Sequence, residues 1–193
     1  MPWEKAFDTD QALAKAMEAF WAHGYEATSM QALVDAMGIG RGSLYATFGD
    51  KHSLFVQALR RYDQHYREDW SARLAASHSP RQAIIAVFDE TVASALDGGS
   101  CKGCLLINTA LELSPHDDEI GEIVRHCLLE MEAFFREQLE KAKAAGEVAP
   151  SLSADEVAKS LLALLVSLRV FARARPEAGL LKAVASQAEA LMI

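Results

Sequence analysis

Cysteine, proline, glycine and positive charge are all scarce in this chain, and each scarcity excludes something. Three cysteines in 193 residues are too few for the disulfide framework that staples small secreted domains, and in a reducing cytosol they would stay free. Five prolines and 11 glycines gather at a few boundaries and leave long stretches dominated by Ala, Leu and Glu, which favour helix. No apolar run is long enough to span a bilayer. The start, MPWEKAFDTD, lacks the basic opening and apolar stretch of a secretory signal. The expectation is a cytoplasmic, all-α protein of one or two domains with a respectable core. No internal repeat or low-complexity tract interrupts it. Lys and Arg number 19 against 27 Asp and Glu, a net charge of −8. That balance bears on solubility and steering; contact with nucleic acid needs only a local basic surface.

The densest signal lies between Gly24 and Lys51, GYEATSMQALVDAMGIGRGSLYATFGDK. Thr28 and Ser29 stand just before MQALVDAM, where a hydroxyl can cap a helix and satisfy its unpaired N–H groups. Met30, Leu33, Val34 and Met37 mark one buried face of that helix. GIGRG breaks it, with Gly38 suited to a left-handed cap and Gly40 and Gly42 loosening the turn. Ser43 is the expected cap of the next segment, SLYATF, in which Leu44 and Phe48 turn inward. Ser43, Tyr45 and Thr47 are left facing out, as an element that enters a DNA groove requires. Two short helices joined by a glycine turn make a helix-turn-helix.

The run from Phe7 to about Leu59 resembles the DNA-binding domain of TetR-family transcriptional regulators. Gly-Tyr-Glu-Ala-Thr-Ser, the Arg-Gly-Ser-Leu-Tyr turn and the Phe-Gly-Asp-Lys exit stand in the family's order and spacing, across three consecutive helices. The resemblance implies a three-helix DNA-binding domain over residues 1–50 and a helical ligand-sensing and dimerisation domain over 51–193. It implies a homodimeric repressor on a double-stranded, palindromic operator, released by a small-molecule inducer or by thiol modification. No nucleophile–base pattern or phosphate-cradling loop beyond the cysteine pair points to an enzyme, and no cofactor or metal is expected. The residues it places toward DNA are Thr28, Ser29, Arg41, Gly42, Ser43, Tyr45, Thr47 and Lys51. Arg41 can reach phosphate or guanine, Tyr45 and Ser43 suit phosphate oxygens, and Lys51 suits a phosphate anchor. As plain structure, Ser29 and Ser43 would be caps and Lys51 a solvated charge. Ala46 and Thr47 fall where many relatives carry larger aromatic or histidine side chains, so the operator sequence does not carry over. The basic N-terminal arm of some relatives is missing.

Helix one is expected from about Thr9 to His23, and a fourth helix from Lys51 to about Ala76 linking the two bodies. Ser77–Pro80, Gly98-Gly99, Ser114-Pro115, Gly146 and Pro176 mark the later breaks. The last two helices carry a broad apolar surface, including Leu161, Leu162, Leu165, Val166 and Leu168, then Leu180, Leu181, Val184 and Leu191. That surface reads either as intramolecular core or as a symmetric dimer seam; the resemblance implies the seam.

The remaining chemistry sits in GGSCKGCLLINTALE. Cys101 and Cys104 flank Lys102 at a glycine-rich entry to a helix, where a helix N-terminus and a cation both stabilise a thiolate. A redox or electrophile sensor and a loop that merely tolerates small residues are both open. A zinc site would need Cys127 with His116 or His126, and a thioredoxin-like enzyme would need a strand that the pattern does not supply. The segment is similar to a subset of the family with a sensing cysteine, and only Cys104 matches that position. Cys104, Asn108 and Glu112 recur every four residues on one helix face. With Tyr66, Trp70 and Phe88, and with Phe134 and Phe135 nearby, they outline a mostly apolar small-molecule site. A helical protein–protein adaptor that has lost specific DNA binding is the alternative reading, motivated by the thin basic patch.

Overall fold

The computed structural model describes residues 7–97 and 102–193; the expectations for Cys101 and the Gly98-Gly99 break lie outside them. Helix α1, Thr9–His23, begins where the Asp8 carboxylate accepts the N–H groups of Asp10 and Gln11 at 2.9 and 3.1 Å. Helix α2, Met30–Met37, begins at Ser29, whose Oγ accepts Ala32 N–H at 3.1 Å. It stops at Gly38, whose φ of 69° is the left-handed cap that a side chain would resist. Helix α3 is Arg41–Phe48 and α4 is Lys51–Asp63, capped by Asp50 through Ser53 N–H at 2.7 Å.

The fourth helix does run on as one rod, but not as uniform α-helix. One π-helical turn, Gln64–Glu68, separates α4 from α5, Asp69–Ser77. The wider ring admits an extra residue and re-aims the side chains that follow, and such turns recur at functional sites. Asp63 and Arg67 close an ion pair across it, both nearly buried. Then come α6, Pro80–Leu96, with proline in its first turn; α7, Leu105–Glu112; α8, Asp118–Ala144; α9, Ala154–Ala174; and α10, Ala178–Ala190. Asp117 caps α8 through Ile120 N–H at 3.0 Å, and Ser153 caps α9. No strand occurs among the described residues.

Two apolar cores form. The first joins α1–α4 to α7 and the start of α8: Phe20, Leu33, Leu44, Phe48, Phe55 and Leu59 pack with Leu105, Leu106, Ile120 and Val124. The second joins α5, α6 and α8–α10 around Ile84, Phe88, Phe135, Leu161 and Leu181. Each fully buried Leu or Phe contributes about 1.5–3 kcal/mol of transfer free energy. The residue 50/51 division falls inside the first core, because α4 packs along α1. The α1–α4 unit is therefore seated on α7 and α8 through shared core. Helix α10 packs against α6 and α9, burying Leu181 and Ala188. The apolar side chains left on the surface include Leu111 on α7, Leu129 on α8 and Val170 on α9, with Leu162 and Val166 of α9 half-buried.

Candidate nucleic-acid interface and ligand cavity

Leu44 and Phe48 drive one face of α3 into the first core, which leaves Arg41, Gly42, Ser43, Tyr45 and Ala46 exposed and Thr47 half-buried. Tyr45 is 43% exposed, large for a residue with that much apolar surface. The Arg41 guanidinium lies 5.8 Å from its ring centroid, so cation and phenol form one contiguous surface. Helix α3 begins at Gly40 without a side-chain cap and carries no acidic residue in its first turn. Ser43 thus lies inside the helix, not at its cap, because Gly40 already takes the extended conformation that starts the turn. Its hydroxyl is on the exposed side with Arg41. The Ser29 hydroxyl is exposed but occupied as the α2 cap. Thr28 departs from expectation: it is 1% exposed, and its hydroxyl donates to the Gly24 carbonyl. Its side chain closes the α1–α2 turn and does not reach the surface. Lys51 stands with its ammonium 4.3 Å from the Tyr25 ring centroid and 3.5 Å from the Glu26 carbonyl, pinned beside the same face at the start of α4.

The α1–α4 unit is tied to the rest by polar contacts that concentrate on α7. Glu112, expected among ligand groups, spends both carboxylate oxygens on the α1–α2 turn. Oε2 accepts Tyr25 N–H at 3.2 Å and Oε1 accepts Glu26 N–H at 2.9 Å. Gly24 makes room for it: a Cβ there would stand 3.0 Å from Oε2, and its φ of +85° is one that side chains rarely adopt. Asn108 likewise donates to the Lys102 carbonyl at 2.9 Å, and together with Glu112 it lines a separate open cleft of about 610 Å³ beside Leu111 and Val170. Trp21 Nε1 donates to the Gly103 carbonyl at 3.1 Å. Lys102 pairs with Glu18 and faces the Trp21 ring, so its charge is taken up by α1. At the other end, His52 on α4 meets Asp117, the cap of α8, at 2.8 Å. The Ile120 N–H, with the neighbouring His52, holds the Asp117 carboxyl below its ordinary range.

Behind these contacts lies a branched cavity. A narrow lobe of about 60 Å³ is bounded by Tyr62, Cys104, Cys127 and apolar residues of α9. Two wider lobes of about 390 and 270 Å³ adjoin it, and Tyr66 and Arg169 line all three. Trp21, Tyr62 and Tyr66 form an aromatic wall, with Tyr62 and Tyr66 stacked at 4.8 Å and Trp21 edge-on to both at 5.0 and 5.1 Å. Trp70 donates to Glu90 at 2.6 Å and lies under the Arg169 guanidinium, 5.5 Å away. Burial pushes the Tyr62 phenol well above its usual range; the adjacent Cys104 thiol adds to this and Arg169 opposes it. Cys104 is half-buried at the start of α7. Cys127 is buried, and its thiol is pushed up to about 12, chiefly by burial and then by Asp63. Phe88 belongs to the second core at 1% exposure, stacked on Phe135 at 6.0 Å. Its ring is spent on packing and lines none of these lobes.

Two family models match this arrangement. Bacterial regulatory proteins of the tetR family match residues 12–58, and the tetracyclin repressor-like C-terminal domain matches residues 80–187. This chain belongs to the TetR family. YezE of Bacillus subtilis, an uncharacterized HTH-type transcriptional regulator, is 38% identical over 144 residues, 75% of this chain and 74% of YezE. The HTH-type transcriptional repressor ComR of Escherichia coli is 32% identical over 170 residues, 88% of this chain and 81% of ComR. Among solved structures, a cysteine-substituted form of the TetR-family regulator CifR in complex with a 26-base-pair operator superposes with a TM-score of 0.84. The two are 33% identical, with 96% of each chain covered.

Within this TetR-family chain, α1–α4 carry the segment that the tetR-family model matches, and the cavity lies in the helical body beside α7. Sequence reasoning placed Tyr66, Trp70 and Cys104 at one cavity, where they are found together. It missed Arg169, although a single arginine within the apolar run LLALLVSLRVF of α9 is a visible signal. The zinc constellation does not form: among the described residues no three His, Cys, Asp or Glu side chains could hold a metal. No helix there is long and apolar enough to cross a membrane.

Proposed function

We propose that the chain is a cytoplasmic transcriptional repressor whose operator grip is governed from the α5–α7–α9 cavity. The observation that carries this is the clasp of Glu112 on the α1–α2 turn. It puts the far end of the helix that begins at Cys104 in direct bond with the DNA-binding head. Arg41, Ser43, Tyr45 and Lys51 supply phosphate and base contacts from α3 and the start of α4, and Thr47 flanks them. Two copies place their α3 helices in successive major grooves about 34–36 Å apart. Self-association uses the last two helices, α9 and α10, where Val170 and Leu191 remain on the surface.

A small molecule in the cavity, or covalent modification of Cys104, shifts α7 and with it the spacing of the two heads. Such a signal acts only through its difference in free energy between the DNA-competent and released states. The family regulates by binding, and no turnover is assigned to the cysteines. The test is a gel-shift titration on DNA flanking the chain's own gene, before and after N-ethylmaleimide. Specific binding that is lost on treatment and kept in Cys104→Ser supports the thiol route. Binding insensitive to treatment leaves the reversible ligand as the signal. Absence of any specific DNA complex would favour a protein–protein adaptor.

A further inference from the structure

The cavity is lined by several charged side chains, and almost all of them are already neutralised. Arg67 is paired with Asp63, Arg73 with Glu90, Lys102 with Glu18 and His65 with Asp69. Arg169 is the exception. It lines all three lobes, is half-buried, and forms no ion pair among the described residues; the exposed Asp97 lines one lobe without reaching it. Its described partner is the face of Trp70, which steadies a cation but leaves the N–H donors of the guanidinium without an acceptor among the described residues. A charge held partly out of water without a counter-ion is costly, and an arginine fork is shaped to receive a planar carboxylate through two parallel hydrogen bonds.

The surroundings define the rest of the ligand. Tyr66 and Trp70 offer flat apolar faces beside the guanidinium, and Leu162, Leu165 and Val166 of α9 close the narrow lobe. One unpaired cation balances one negative charge. The wider lobe of about 390 Å³ suits a small molecule. Resting on the reading of this cavity as the sensing site, we propose that its ligand is a planar, unsaturated or aromatic monocarboxylate. The carboxylate is bound by Arg169 and the body lies between Tyr66 and Trp70. No other unpaired cation lines these lobes among the described residues, so a dianion such as a phosphate monoester is disfavoured.

The test uses trans-cinnamate and its uncharged isostere cinnamamide as probes, titrated calorimetrically into the full chain at pH 7.5. The native chain is expected to bind the acid at least about tenfold tighter than the amide. Arg169→Met, which keeps the apolar stem over Trp70, should reduce that ratio to within about twofold; a circular-dichroism spectrum and thermal melt matching the native chain certify its fold. Arg169→Lys, keeping charge but not the fork, should give an intermediate ratio, and carries the test if the methionine variant does not fold. Equal affinity for acid and amide in the native chain, or a preference that survives in Arg169→Met, overturns the carboxylate assignment while the cavity remains a ligand site. If neither probe binds, both the assignment and the reading of the cavity fall.

Discussion

Replacing Glu112 with alanine removes the contact on which coupling between cavity and DNA-binding head depends. Two backbone N–H groups, of Tyr25 and Glu26, lose a charged acceptor at 3.2 and 2.9 Å. Hydrogen bonds to charged groups contribute about 1.5–3 kcal/mol each when well buried. Glu26 is exposed and Tyr25 half-buried, so water recovers part of the loss, leaving a net cost of about 1–2 kcal/mol for the pair. For a chain of this length that is a fall in Tm of about 2–8 °C. The same energy, if it orients the head, weakens operator binding by about five- to thirtyfold. Glu112→Gln, which keeps one acceptor oxygen, should fall between. Gly24→Ala should reproduce the effect from the other side, because its methyl group would press on the carboxylate and strain the turn. Thermal melts and operator titrations by fluorescence anisotropy read both quantities. A Glu112→Ala chain whose Tm and operator affinity match the native values would refute the clasp.

Phe88→Ala should cost about 3–5 kcal/mol of stability, read by urea unfolding, because its ring is packed on Phe135 in the second core; a cost under 1 kcal/mol would return it to the cavity lining. Asp117 titrates below its ordinary range in the folded chain, so its contribution is full above about pH 4 and is lost as pH falls through the lowered value. The urea midpoint of Asp117→Asn should therefore lie below that of the native chain at neutral pH and converge with it in acid. Cys127, with its thiol pushed up to about 12, should resist iodoacetamide at pH 7.5 under conditions that alkylate the half-buried Cys104, as mapped by peptide mass spectrometry.

Local chemistry was legible and distant contacts were not. Ser29 and Gly38 announce helix ends because each satisfies backbone groups within its own neighbourhood. Leu44 and Phe48 fix the facing of α3 by spacing alone. Thr28 and Ser43 show the limit of that reading. Either hydroxyl can cap a helix, but neither does: Thr28 donates to the Gly24 carbonyl, and Gly40 starts α3 three residues ahead of Ser43. Glu112 carries no mark in sequence that its partners lie 86 and 87 residues earlier. Helix α10 reads as amphipathic whether its apolar stripe meets a partner chain or its own α6. The π-helical turn at Gln64–Glu68 has no cue of composition, since its residues suit an ordinary helix; it holds where Asp63 and Arg67 pair within the fold.

The central claim is that the exposed face of α3 grips an operator as a dimer. It is tested most directly by an anisotropy titration of labelled DNA from upstream of the chain's own gene, with native chain and with Arg41→Ala and Tyr45→Ala, across a series of salt concentrations. The account expects two protomers per operator and affinity that falls steeply with salt. It expects each variant to bind at least about tenfold more weakly with its melting temperature unchanged, since both side chains are exposed. Operator affinity that is unchanged in both variants would contradict it.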